Sequence, residues 1–288
     1  MSNKKRGKNI LAIIISVIII VICLVVIFFN IPYSKTKTEF NSVINSLISN
    51  EPKNTDVFTK EDINNLPAPV QRYFEYCGYI GQPKMSYMKI IFKNIDFKQS
   101  ESRTLKIDYT QYNFVNKPQR LAYIDSSLFG IPFEGLDSYK DGTGSMKGVI
   151  GKVISLFDQR GENMDKASLV TFLSEALVLP SAALQDYIKW EAIDDTHAKA
   201  TITYYGTSAS GIFTFDNNGL MKSFRTKDRI ATDTDGSTQE AEWSAVILDY
   251  ENVNGLRKPK VLQGVWHFPE GDCIYFNENK QSSQIQFE

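Results

Sequence analysis

The two histidines of the chain, His197 and His267, fall on separate predicted strands. Neither stands in the H-x-H or H-E-x-x-H spacing that gathers a zinc ion. Both are read as structural or surface residues, and no metal or other cofactor is expected. The segment Asp141-Gly142-Thr143-Gly144-Ser145-Met146-Lys147-Gly148 imitates a phosphate loop. A working phosphate loop presents the N-terminus of a following helix to the anion, whereas residues 149–154 read as strand. Phosphate binding is therefore set aside. No Gly-x-Ser-x-Gly elbow occurs, and Ser126, Ser127 and Ser174 carry no nucleophile signature.

Glu175 is the carboxylate whose setting points to a role. It stands between Leu173 and Ala176-Leu177 in an apolar helical stretch. A carboxylate buried there must be paired or neutralised, and Arg72, Arg225 and Arg229 are the expected partners. Three readings are open: a structural ion pair, an exposed residue on the helix's far side, or a polar anchor in a ligand cavity. On the third reading the ligand-binding set is Arg72, Tyr73, Glu175, Arg225 and Arg229. An enzyme would instead need Glu175, Arg72, Tyr73 and His267 to converge in one cleft.

The elements that must position these residues begin with a membrane segment. Ile10 to Phe29 contains no charge and no proline. Twenty helical residues rise about 30 Å, the thickness of a hydrocarbon core. A cleaved leader would have a shorter apolar run and a small-residue cleavage site, which Phe28-Phe29-Asn30-Ile31-Pro32 does not offer. Lys4, Lys5, Arg6 and Lys8 precede the segment with no acid among them, so the N-terminus is expected in the cytoplasm. The expected organisation is a basic cytoplasmic tail (1–9), a transmembrane helix (10–29), a juxtamembrane helix or linker (30–56) and an extracytoplasmic β-rich domain (57–288). The location is then the cell membrane, single-pass, with membrane lipid as one partner.

Setting aside the four tail cations leaves 28 of the 32 basic residues against 33 acidic ones. That acidic balance argues against a nucleic-acid partner, which needs a basic face. Cys77 and Cys273 fall in the exported part, where a disulfide and two free thiols are both open readings. Frequent Ile, Lys and Asn suggest a bacterial source.

Apolar positions at Phe40, Val43, Ile44, Leu47 and Ile48 predict a helix continuing out of the membrane and ending near Asn50-Glu51-Pro52. A short amphipathic helix is expected from Pro67 to Cys77, with proline in its first turn. From Met85 the period shifts to 2, and strands are expected at 88–93, 104–109, 111–115, 120–126, 133–140 and 144–154. A helical island over 165–187, capped by Asp165, interrupts them. Strands resume at 188–193, 197–205, 211–216, 220–229, 242–251, 260–268 and 273–287. The turns are Asp141-Gly142, Asp216-Asn217-Asn218-Gly219, Asn254-Gly255 and Glu270-Gly271-Asp272. Many strands with short connections imply antiparallel pairing. The expected fold class is mainly β (α+β): a large, strongly curved antiparallel sheet or incomplete barrel packed on the helical island, with the 67–77 helix over an end or edge. A two-sheet sandwich is the alternative.

Three segments carry a resemblance: residues 66–73 (LPAPVQRY), residues 172–182 (FLSEALVLPSA), and Trp190 with the Glu-Ala-Ile-Asp after it. With the hairpin Phe215-Asp216-Asn217-Asn218-Gly219, followed by Arg225 and Arg229, they resemble an uncharacterised bacterial family catalogued as a domain of unknown function. The resemblance spans most of residues 60–285 and implies no activity. The curved sheet is also similar, at the level of fold, to periplasmic lipoprotein-carrier domains.

Eighteen Phe, fourteen Tyr and three Trp would suit an apolar pocket on a concave sheet face, or a fully packed core. The preferred reading is a membrane-anchored binding module for a lipid, another amphiphile or an envelope partner protein. A cell-envelope enzyme without a recognisable motif and a structural subunit of an envelope complex are the alternatives.

Overall fold

The computed structural model describes residues 2–100, 103–232, 236–278 and 283–288. The first helix, α1 (Ser2–Asn30), is long and apolar enough to cross a membrane. The chain then breaks at residues 31–34, and α2 (Lys35–Asn50) starts anew with Ser34 as its N-cap. The helix expected to continue out of the membrane is thus a separate element. It lies on the convex face of the sheet, where Phe40 and Ile44 pack with Phe114, Leu121, Tyr123 and Leu136. Burying each of the two helical side chains contributes about 1.5–3 kcal/mol, enough to hold the helix on the sheet.

Two short helices follow, α3 (Lys60–Ile63) with a Thr59–Asp62 capping box, and α4 (Ala68–Tyr76). The strands then run β1 (Tyr87–Ser100), β2 (Arg103–Phe114), β3 (Gln119–Leu128), β4 (Ile131–Lys140), β5 (Thr143–Ile150) and β6 (Ile154–Gln159). After α5 (Glu162–Ser174) and α6 (Pro180–Ala183) come β7 (Ile188–Ala192), β8 (His197–Tyr204), β9 (Thr207–Phe215) and β10 (Met221–Thr226). A small ribbon, β11 (Ile230–Thr232) and β12 (Thr238–Glu240), precedes β13 (Glu242–Val253), β14 (Leu256–Phe268), β15 (Gly271–Asn277) and β16 (Gln284–Phe287).

One antiparallel sheet takes all but the ribbon, in the order β6-β5-β4-β3-β2-β1-β15-β14-β13-β10-β9-β8-β7, with β16 also paired to β1. Asp141-Gly142 and Asn254-Gly255 have positive φ at both residues, as a type I′ hairpin turn requires.

The sheet curls around α5. That helix lies against β3, β4 and β5 on one limb and against β8 and β9 on the other. From Ala167 to Ser174 every residue except Thr171 is buried, the signature of a helix enclosed by its own domain. The curved sheet packed on a helical island is therefore the architecture. Helix α4 sits against β8 near one sheet edge, burying Val70, Tyr73 and Phe74.

Several boundaries differ from the sequence reading. Residues 104–115 form one strand rather than two, because Gln111 and Asn113 are polar at inward positions of a continuous alternation. Residues 144–154 are two strands, split where Gly151 and Lys152 both take positive φ. The stretch 273–287 is also two strands, with residues 279–282 outside the described set. Sixteen strands are present among the described residues, more than the thirteen stretches expected, the added ribbon β11–β12 among them. Asp165 is not the cap of α5, which starts after Gly161; its carboxylate instead accepts the Gly144 N–H at 2.6 Å, pinning α5 to β5. Cys77 and Cys273 are free thiols, the first buried and the second half-buried.

Candidate ligand-binding cavity

Between the concave sheet and α5 lies a cavity of about 1240 Å³. One face of α5 looks into it: Met164, Ser168, Thr171, Ser174 and Glu175 recur at the three- and four-residue spacing of one helical stripe. The facing strands contribute mostly aromatic and aliphatic side chains, among them Phe92, Ile107, Phe133, Trp243, Trp266 and Phe276. One end is lined by exposed polar residues, Ser100, Thr232, Thr238 and Glu270. This is the mouth.

The inner end carries a polar network. Alternation along β2 turns Ile107, Tyr109, Gln111 and Asn113 to the same buried face. Arg120 is turned inward from β3, and Asp137 lines the cavity from β4. Arg120 Nη1 donates to Asp137 Oδ2 at 2.6 Å, and Nη2 donates to the Tyr109 hydroxyl and to Gln111 Oε1 at 3.1 Å. Its Nε lies 3.5 Å from Glu175 Oε2. Gln111 Nε2 and Asn113 Nδ2 each donate to that same oxygen at 2.7 Å.

Burial would lower the Arg120 pKa, but the charge of Asp137, with Tyr109 and Glu175, outweighs it and holds the guanidinium well above its ordinary value. Burial raises the Glu175 carboxyl, opposed by the Arg120 charge and by the amides of Asn113 and Gln111. The Glu175 side chain keeps 18% of its exposure, and it lines the cavity rather than the packed core. Its Oε1 has no hydrogen-bond partner among the described residues. The site thus offers an apolar sleeve ending in an acceptor oxygen, which takes on a proton more readily than an exposed carboxylate.

The five residues expected to bind ligand are not brought together. Glu175 and Arg229 line the cavity. Arg229 stacks over Trp243 and Trp266, 4.5 and 5.5 Å from the ring centres, and donates to Thr171 Oγ1. Arg72 reaches away to the Asp195 carbonyl, and Arg225 pairs with Glu242. Tyr73 is wholly buried in the core, donating its hydroxyl to the Leu177 carbonyl at 2.7 Å. None of the three expected arginines pairs with Glu175; the partner is Arg120. Nor does Glu175 sit inside the helix: it is the C-cap of α5.

His267 joins neither Glu175 nor Arg72. Its Nε2 is 2.9 Å from Ser244 Oγ and its Nδ1 is 2.7 Å from Asp272 Oδ1. The connectivity is that of a serine nucleophile relay, but the surroundings are not. Ser244 is 4% exposed on β13, a central strand bonded to β10 and β14 on its two sides. Its backbone neighbours on β13 are committed to the ladder on both sides, so their N–H groups are not available to hold an oxyanion.

A family model described as a family of unknown function, DUF6544, matches residues 56–278. No curated protein matches the chain. Among solved structures, a LolA superfamily protein from Nitrosomonas europaea is similar with a TM-score of 0.39 and 10% identity, covering 77% of this chain and 94% of its own. A DUF1329 family protein from Desulfovibrio piger gives a TM-score of 0.37 and 10% identity, covering 76% and 93%.

Proposed function

The chain belongs to DUF6544, a family of unknown function, and we propose that it is a membrane-anchored, extracytoplasmic module that binds a lipid or other amphiphile. The observation that carries this is the cavity: about 1240 Å³, aromatic along its walls and polar at its inner end. Small-molecule pockets run to about 300–1000 Å³, so the space suits a long-chain ligand better than a small metabolite. The free Glu175 Oε1 favours a polar end that donates a hydrogen bond, such as a hydroxyl or an amine. Anchorage rests on the length and apolarity of α1. Orientation is read from the four cations that precede its apolar stretch, since such cations favour the cytoplasmic side, which would leave the β-domain outside.

Native mass spectrometry of the full chain, released from lipid nanodiscs, tests the reading. A one-to-one adduct of lipid mass that survives mild activation is expected, and it should be weakened in Glu175→Gln. A chain that emerges bare and takes up no added fatty alcohol, monoacylglycerol or phospholipid would remove the proposal.

A further inference from the structure

The turn between β5 and β6 touches the end of α1. Lys152 Nζ donates to the carbonyls of Phe28, at 3.3 Å, and Ile31, and its ammonium lies 5.9 Å from the Phe28 ring centre. Around this contact the surface is apolar and open. Val153, Ile154 and Leu156 are 70%, 60% and 48% exposed, and Phe129 at the neighbouring β3–β4 turn is 83% exposed. The two turns are joined where the Gly151 N–H donates to the Pro132 carbonyl. Large apolar side chains grouped so on a soluble surface mark an interaction site.

The same patch borders the cavity. Strand β6 is a sheet edge that exposes Leu156 and, one residue on, turns Phe157 into the cavity wall. The Arg103 guanidinium lies over the Phe129 ring at 5.1 Å and pairs in register with Ser100 at the cavity mouth. A chain of contacts therefore runs from the end of α1 through both apolar turns to the mouth. Helix α2 fixes that relation by packing along the convex face behind β3 and β4.

We propose that the β3–β4 turn at Phe129 and the β5–β6 segment from Val153 to Leu156 seat in the interface of the bilayer that α1 crosses, holding the cavity mouth against the membrane so that an amphiphile passes directly between lipid and cavity. The occupant of the patch is lipid because the patch is continuous with the end of the membrane helix. The cations Arg103 and Lys152 lie among the apolar side chains, where they can reach headgroup phosphates. The role of the mouth rests on the amphiphile-binding reading above; the seating of the turns does not.

The test is site-directed spin labelling of the full chain in phosphatidylethanolamine–phosphatidylglycerol vesicles. Cys23→Ala and Cys273→Ser clear the background, while the buried Cys77 stays. Labels go on Phe129→Cys, Val153→Cys and, as control, Tyr205→Cys, whose parent side chain packs on Gly142 at the β4–β5 turn, the opposite end of β4. Oxygen should relax the labels at 129 and 153 at least threefold more strongly than a water-soluble nickel chelate does, with the reverse at 205. Equal chelate access at all three sites overturns the proposal, and so does protection from both reagents at 129 and 153, which would mean a protein partner covers the patch. Lipid occupancy measured by mass on the same samples separates the two claims. Immersed turns on a bare chain sink only the ligand reading, and hydrated turns on a lipid-bearing chain sink only the seating.

Discussion

Arg120 on β3 and Glu175 at the C-cap of α5 meet at 3.5 Å inside the cavity, and the contact ties the enclosed helix to the sheet that wraps it. The arginine also holds Asp137 at 2.6 Å, so a single cation answers two carboxylates. Arg120→Met should cost about 3 kcal/mol, the low end of the penalty for breaking a buried ion pair, because Asp137 and Glu175 line the cavity and Glu175 keeps its two amide donors. Urea unfolding of the detergent-solubilised chain measures it. Adding Glu175→Gln to Arg120→Met should recover part of the loss, since one of the stranded charges is then gone.

Glu278 gives the fold a pH dependence of definite sign. It is 1% exposed, and burial pushes its carboxyl up to about 7 against the lowering effect of the Leu262 and Ser283 N–H groups. The folded state therefore binds this proton more tightly than the unfolded chain does. The contribution is fully present below about pH 4.5 and is lost as pH rises through about 7, for a total on the order of 3 kcal/mol. Urea midpoints taken from pH 4.5 to 8 should fall more steeply in the parent than in Glu278→Gln.

Gly144 explains what the phosphate-loop lookalike is for. A Cβ there would stand 2.4 Å from the Met164 carbonyl oxygen and 2.6 Å from Ser168 Oγ, so glycine lets α5 approach β5. Gly144→Ala should destabilise by about 1–3 kcal/mol through overpacking, read as a lowered Tm, with no change in phosphate affinity.

The Ser244–His267–Asp272 relay gives a clear outcome. Ser244 should not react with a fluorophosphonate probe, and Ser244→Ala should cost only about 1 kcal/mol, the worth of one hydrogen bond. Labelling abolished by Ser244→Ala would restore the enzyme reading.

Much of the architecture was legible because backbone chemistry is local. Leu66–Tyr73 announced α4, Asp141-Gly142 and Asn254-Gly255 announced their hairpins, and the aromatic alternation announced the sheet. A continuous strand reads as two where its inward positions are polar. Gln111 and Asn113 interrupt the alternation of β2, and that interruption was itself the sign of the buried network. In the same way Ser168, Thr171 and Ser174 sit at helical spacing inside an apolar helix and mark its cavity face. Arg120 had no such signal: its inward placement depends on α2 covering Leu121 and Tyr123 on the opposite face of β3. Which arginine reaches Glu175 is a matter of sheet curvature, and curvature is not carried by any local pattern.

The most direct measurement concerns the three tryptophans. Trp243 and Trp266 line the cavity, while Trp190 packs on Phe213 and donates its indole N–H to the Ala183 carbonyl. Titration with a brominated long-chain alcohol should quench the full chain's fluorescence saturably at one ligand per chain. The quenching should largely vanish in Trp243→Phe/Trp266→Phe and persist in Trp190→Phe. Quenching that is absent, unsaturable, or unchanged when Trp243 and Trp266 are replaced would contradict ligand binding in the cavity.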